Sequence, residues 1–182
     1  LADVAALRAA DLVVAAAGDL DHDQVVRAMP NTPALLGAGV TGLFASTEVD
    51  ANGRERAAKL LSSAGKTVWI ESETLMDAVT AVSGSGPAYI FLLAEAMEAA
   101  ALSEGLPAEA ARTLVLETVL GAARMLTESG EDPAELRRRV TSPGGTTQAA
   151  IETFEAGGLR NLVASAIRNA TERGRQLSAA ND

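Results

Sequence analysis

The chain has 182 residues, 48% of them hydrophobic and only 3% aromatic, with no cysteine, a single histidine and a formal net charge of −9. That length sustains a packed core, and the alanine-rich composition calls for closely packed helices with small side chains at their contacts. The acidic balance argues against a nucleic-acid or anionic-membrane partner, the lack of cysteine excludes disulfides and thiol chemistry, and the lone His22 excludes a His-rich metal centre.

In chain order, the opening "LADVAALRAADLVVAAAG" shows no charged start followed by an apolar signal segment and reads as entering a domain midway. The runs "DLVVAAA", "QVVRAM", "VTGLFAS" and "KTVWIES" are predicted strands. Between the last two, residues 51–65 have amphipathic helical spacing, with Asp50 as N-cap and Gly65 as terminator. Strand, helix and strand at this spacing predict a parallel α/β unit. From Glu73 onward the pattern is all helical: 73–82, 87–104, 107–128, 133–141, 147–156 and 159–177, punctuated by Gly and Pro. The longest apolar run, "AYIFLLAEAMEAAAL", is broken by Glu95 and Glu98. It falls short of the ~18–20 residues of a membrane span and reads as a buried helix. Helices 87–104 and 107–128 are apolar around most of their circumference, and the helical part, residues 73–182, is too small to enclose both. An oligomer built on these helices is expected, with a tight monomeric bundle as the alternative.

Four motifs bear on chemistry. "GAGVTG" places Gly37, Gly39 and Gly42 at dinucleotide-fingerprint spacing, but two prolines precede it and a strand-like run follows, so it is expected to be a decoy. "MPNTP", Met29 to Pro33, follows a strand end, where Asn31 and Thr32 either face a ligand or form an ordinary Asx-type turn. "SGSGPAY", Ser83 to Tyr89, reads as a tight connection between helices, with Tyr89 a packed ring rather than an acid catalyst. In "RRRVTSPGGTTQAAIETF", Arg137 to Phe154, Ser142 and Pro143 end one helix, Gly144 and Gly145 bare the backbone, and Thr146 or Thr147 begins the next helix. Such a turn is either an anion site for a carboxylate or phosphate, or a well-capped turn beside a solvated arginine face. Arg139 is the arginine nearest the turn, while Arg137 and Arg138 read as solvated charges.

Together and in this order, "VVRAMPNTPALLGAGVTGLFA", "DAVTAVSGSGPAYIFLLAEAM", "GLP" and "RRRVTSPGGTTQAAIETFEAGGLR" resemble the pyrroline-5-carboxylate reductases, the NAD(P)H enzymes of the last step of proline synthesis. The resemblance spans about residues 12–178 and includes the family signature at Pro133, Leu136, Val140, Thr141, Ser142, Gly144, Gly145, Thr147, Ala150, Ile151 and Phe154.

The resemblance implies an α/β remnant of a Rossmann-type domain over residues 1–72 and an all-α domain of the 6-phosphogluconate-dehydrogenase C-terminal type over 73–182. It implies a cytoplasmic homodimer, with assembly into a decamer, and NADPH or NADH as cofactor. The substrate would be a small cyclic imine carboxylate held by Ser142, Gly144, Gly145, Thr146 and Thr147, with the Thr147 hydroxyl facing the ring nitrogen as the catalytic group. Ala28, Met29, Pro30 and Asn31 match the contact with the nicotinamide side of the cofactor, and Glu73 matches an acidic position near it. The family's Gly-rich phosphate loop is expected to precede residue 1. Between "VVAAAG" and "QVVRAM" the family has a longer connection with a helix, where this chain has "DLDHD". Two other readings stand beside the reductase: a non-catalytic dimerisation module of the same family, and a reductase acting on a related imine or β-hydroxyacid.

Overall fold

A computed structural model describes residues 12–15, by their backbone pairing, and residues 25–180. His22, the opening segment and the flanks of the first predicted strand lie outside the described residues. Among those described, two compact units occur, one holding the residues up to Ala88 and from Ser165 onward, the other Tyr89–Ala164.

The first unit is built on a four-stranded sheet in the order β1 (Leu12–Ala15), β2 (Val25–Met29), β3 (Gly39–Ala45), β4 (Gly65–Trp69). β3 and β4 run parallel with α1 (Ala51–Leu61) between them, as the sequence spacing predicts. β1–β2 and β2–β3 are antiparallel. Residues 16–24 are too few for the crossover of a dozen or more residues that a parallel β1–β2 pair needs, so the short "DLDHD" connection selects the antiparallel pairing.

Period-two alternation buries Val26 and Ala28 of β2, which join Leu43, Ala45, Val49 and Ala57 in one core. α1 presents Gly53 and Ala57, four residues apart, to that core. Its N-terminus is held by Asp50, whose carboxylate accepts from the Gly53 amide at 2.7 Å, a cap worth about 1 kcal/mol. After α1 a 3-10 turn, Ser62–Ala64, delivers the chain to Gly65. A side chain at Gly65 would strike the backbone of Gly39, its partner in the parallel ladder.

The glycines of "GAGVTG" serve the fold, as expected of a decoy. Gly37 ends a 3-10 turn, Thr32–Leu36, in the left-handed region at φ 67°. A Cβ on Gly39 would lie 2.8 Å from Ala34 of that turn, and one on Gly42 would lie 2.5 Å from the Val79 side chain. No helix opens within the motif, because β3 begins at Gly39.

The periodicity predicts one helix over 73–82, but the chain there is segmented into a 3-10 turn (Glu73–Leu75), α2 (Met76–Val79) and a π turn (Thr80–Gly84). The Thr80 and Ser83 hydroxyls donate to the carbonyls of Met76 and Val79, four residues back, at 3.0 and 2.9 Å. Such bonds compete with the regular ladder, and the Ser85 amide donates to the Thr80 carbonyl at 2.8 Å, the wider π spacing. Met76 and Ala81 are buried here. The later turns of α7 (Leu159–Ala179) join the same unit: Gly174 lies against Asp77, and the Ser178 hydroxyl donates to the Asp77 carboxylate at 3.3 Å.

The second unit contains most of α3 (Gly86–Ser103), α4 (Ala108–Glu128), α5 (Pro133–Arg139), α6 (Thr146–Ala156) and the first turns of α7. Buried residues in these helices are confined to Ala111 and Val115 on α4, four apart on one face. Phe91 and Leu92 of α3 and Leu162 of α7 are each 66% exposed, and Leu114, Leu120 and Met125 of α4 also face outward. A face this apolar and this open is what an interface between copies leaves uncovered in one chain, in line with the oligomer expected from the sequence. No helix among the described residues is long and apolar enough to cross a membrane.

Candidate active site

In the second unit, α5 ends where the Thr141 hydroxyl and amide fold back onto the Arg137 and Arg138 carbonyls at 2.7 and 3.2 Å. Ser142 to Gly145 form a tight turn closed by the Gly145 amide on the Ser142 carbonyl at 3.1 Å. Pro143 occupies the second position, and Gly144 the third at φ 71°, the residue choice of a type II turn. Gly145 then caps α6 with extended backbone and no side-chain bond to the helix. A Cβ on Gly145 would lie 2.6 Å from the Ser142 hydroxyl, so glycine here leaves room for that hydroxyl beside the helix start.

The accounting of backbone donors decides what this turn can do. The first amide bonded within α6 is that of Ala149, to the Gly145 carbonyl at 3.2 Å. The Gly144 amide is taken by the Gln148 side chain at 2.7 Å, and Gln148 is itself steadied by its donation to Glu152 at 2.7 Å. That leaves the amides of Thr146, Thr147 and Gln148 without a capping side chain among the described residues. Thr147 is half-buried and Thr146 exposed, and neither hydroxyl has a partner among the described residues. Uncapped amides, the positive end of a helix and two free hydroxyls suit a small carboxylate.

The three arginines before the turn are spent on glutamates. Arg138 grips Glu135 with bonds of 2.9 and 2.6 Å. Arg139 bonds Glu131 and Glu135 at 2.7 and 3.2 Å, so this expected neighbour of the turn is engaged with two carboxylates. Arg137 reaches Glu155, which Arg160 also holds. Hydrogen bonds from Arg138 to Glu135 and from Arg160 to Glu155 hold both carboxyls below the ordinary carboxylate range. An open cleft between Glu135, Arg137, Arg138, Ile151 and Glu155 accompanies this network, but its arginines are already paired with its glutamates, which does not suit an anion.

In the first unit, the strand-end residues divide by exposure. Ala28 is fully buried and Met29 nearly so, whereas Pro30 and Asn31 are half-buried and form the accessible surface at this end of β2. Asn31 does form a turn, since its carbonyl accepts the Ala34 amide at 3.1 Å. Its side chain spans further: Oδ1 accepts the Val40 amide at 2.9 Å, and Nδ2 donates to the Ser83 carbonyl at 3.2 Å. Glu73, at the start of its 3-10 turn, is 58% exposed and accepts from Arg27 at 3.4 Å. Sequence reasoning missed Gln148 and the inward use of Asn31. A glutamine three residues after the capping glycine was a legible signal for the first, while the second depends on a partner 52 residues away.

Residues 73–177 match the family model for pyrroline-5-carboxylate reductase dimerisation. Over 154 residues the chain is 54% identical to a pyrroline-5-carboxylate reductase of Pseudomonas aeruginosa, covering 85% of this chain and 56% of that one. It is 45% identical over 157 residues to one from Synechocystis, covering 86% and 58%. The chain thus spans a little over half the length of the curated relatives it matches. Among solved structures, a pyrroline-5-carboxylate reductase from Coxiella burnetii superimposes with a TM-score of 0.84 at 46% identity, covering 87% of this chain and 59% of that one. A pyrroline carboxylate reductase of Plasmodium falciparum with NADP bound gives 0.76 at 32% identity, covering 83% and 62%.

Proposed function

The chain belongs to the pyrroline-5-carboxylate reductase family through its dimerisation domain, and from that premise we propose that it serves the reduction of (S)-1-pyrroline-5-carboxylate to L-proline. The observation that carries the reading is the row of uncapped amides at Thr146, Thr147 and Gln148 beside a half-buried threonine hydroxyl. These donors fit a carboxylate, and Ser142, Gly144 and Gly145 give it an approach free of side-chain bulk. The Thr147 hydroxyl would lie against the ring nitrogen and, directly or through water, hold or supply its proton. A protonated imine is already electrophilic, so the residues' main contribution is orientation, with reacting atoms needing to come within ~3–3.5 Å. A bound NADPH or NADH would supply the hydride. Pro30 and Asn31 offer it an accessible strand end, with Met29 and Ala28 behind them and Glu73 as the nearby acidic group of the family pattern.

We keep residues 1–72 as the cofactor part and 73–182 as the substrate and dimerisation part, working in the cytoplasm as a homodimer that assembles further into a decamer. The exposed apolar faces of α3 and α4 support the association. The activity test is oxidation of NADPH by the purified chain on adding the cyclic imine, followed spectrophotometrically. Turnover supports the reading, and its absence at every concentration refutes it for this chain. One observation favours the dimerisation-module alternative: among the described residues "GAGVTG" builds a strand rather than a phosphate cradle. Fluorescence titration with NADPH separates the two, since a module without cofactor function gives no saturable binding.

A further inference from the structure

The Asn31 carboxamide is committed at both ends to the chain itself. The assignment of its atoms is forced, because the Val40 amide can only donate and the Ser83 carbonyl can only accept. The Ser83 carbonyl needs such a donor for a reason written in the sequence. In a continuing helix it would receive the amide four residues on, but that residue is Pro87, which has none. A part-buried carbonyl left unpaired is costly, and Asn31 supplies the missing donor from 52 residues away.

We infer that Asn31 is a positioning residue: its side chain latches the Pro30–Asn31 strand end to the Thr80–Gly84 π turn, so that the surface offered to the nicotinamide is held as one body. The inference rests on the reductase reading for its catalytic consequence. One further contact joins the same segments: a Cβ on Gly84 would lie 2.6 Å from the Met29 methyl. Just before the π turn, Val79 of α2 fills the space left by Gly42 on the neighbouring β3. Gly84 lets the π turn approach the end of β2, and the Asn31–Ser83 bond fixes its register. π turns are uncommon and cluster at functional sites, and here the turn is tied to the strand end expected to meet the cofactor.

The test compares the wild-type chain with Asn31→Asp and Asn31→Ala. The aspartate keeps the acceptor for Val40 and loses the donor to Ser83, whereas alanine loses both. Amide hydrogen exchange by NMR reads the latch without any need for activity. In Asn31→Asp the Ser85 amide, which closes the π turn, should exchange about tenfold faster while Val40 stays protected, the effect of one lost part-buried hydrogen bond. In Asn31→Ala both should exchange faster. Kinetics with NADPH deuterated at the transferred position reads the consequence. A loosened strand end should lower kcat about tenfold and raise the isotope effect, with KM for the nucleotide within about twofold. Mere loss of folded protein would leave the isotope effect unchanged. Unaltered Ser85 exchange in both variants overturns the latch, and altered exchange with an unaltered isotope effect overturns its positioning role. A wild-type chain that turns over no imine refutes the reductase reading, and the exchange data then decide the latch alone.

Discussion

The two candidate regions, one in each unit, use their polar groups in opposite ways. At the end of β2 the available hydrogen-bonding groups face inward: the Asn31 carboxamide bridges Val40 and Ser83, and its carbonyl takes Ala34. At the start of α6 they are left open, with three amides uncapped and the hydroxyls of Thr146 and Thr147 unpartnered among the described residues. The first arrangement makes a stiff strand end. The second leaves a set of donors open, and the proposed carboxylate would be their partner. Polar groups serve as scaffold in one place and stay available in the other, according to whether the fold has already satisfied them.

The contrast can be broken most severely at Thr147. Thr147→Ala removes a hydroxyl that has no partner among the described residues, and we expect kcat to fall about 100-fold, the usual scale for a proton-handling group. Its melting temperature should stay within about 2 °C of wild type, because no internal bond is broken. Steady-state kinetics beside calorimetry checks both. Next comes Gly145→Ala, whose new methyl lands on the Ser142 hydroxyl and crowds the open amides. KM for the imine should rise about tenfold, as one charge-assisted contact is weakened, while KM for NADPH is unchanged.

A smaller effect is expected at Gln148. Gln148→Leu frees the Gly144 amide from its side-chain partner, which converts a satisfied donor at the turn into an open one. Urea denaturation should show a loss of about 1 kcal/mol with little change in KM, since this amide is not among those assigned to the carboxylate.

The smallest change concerns the arginine–glutamate network, which belongs to neither region. Glu135 and Glu155 have folded pKa values below their ordinary ones, so their contribution is present above the ordinary carboxylate range and is lost as pH falls through the lowered values. Glu155→Gln should leave stability at neutral pH nearly unchanged and flatten its decline on acidification, measured by denaturant titration across the acid range.

Much of this was legible beforehand where the signal is local. The β3–α1–β4 unit follows from spacing, and the Asp50 cap from its place before an amphipathic run. The glycine-rich decoy is exposed as such by its flanking prolines and β-branched residues. The turn at Ser142–Gly145 follows from Pro and Gly at the positions that demand them. Less legible was the segment 73–84, where helical periodicity holds but hydroxyls of Thr80 and Ser83 compete for carbonyls and divide the helix. The Glu135 pairs of the arginine run lie within one turn of the same helix, but the Arg137–Glu155 pair forms only once α5 and α6 are in place.

By itself the amino-acid order determined the class of most elements, the place of the Ser142–Gly145 turn and the need for a partner surface, since these rest on periodicity, turn chemistry and the balance of apolar residues against length. Only the tertiary structure decided which donors remain open and which are spent. That question depends on groups distant along the chain, as when the missing amide of Pro87 is made good by Asn31, and the rule that buried polar groups must be paired acts through space rather than along sequence.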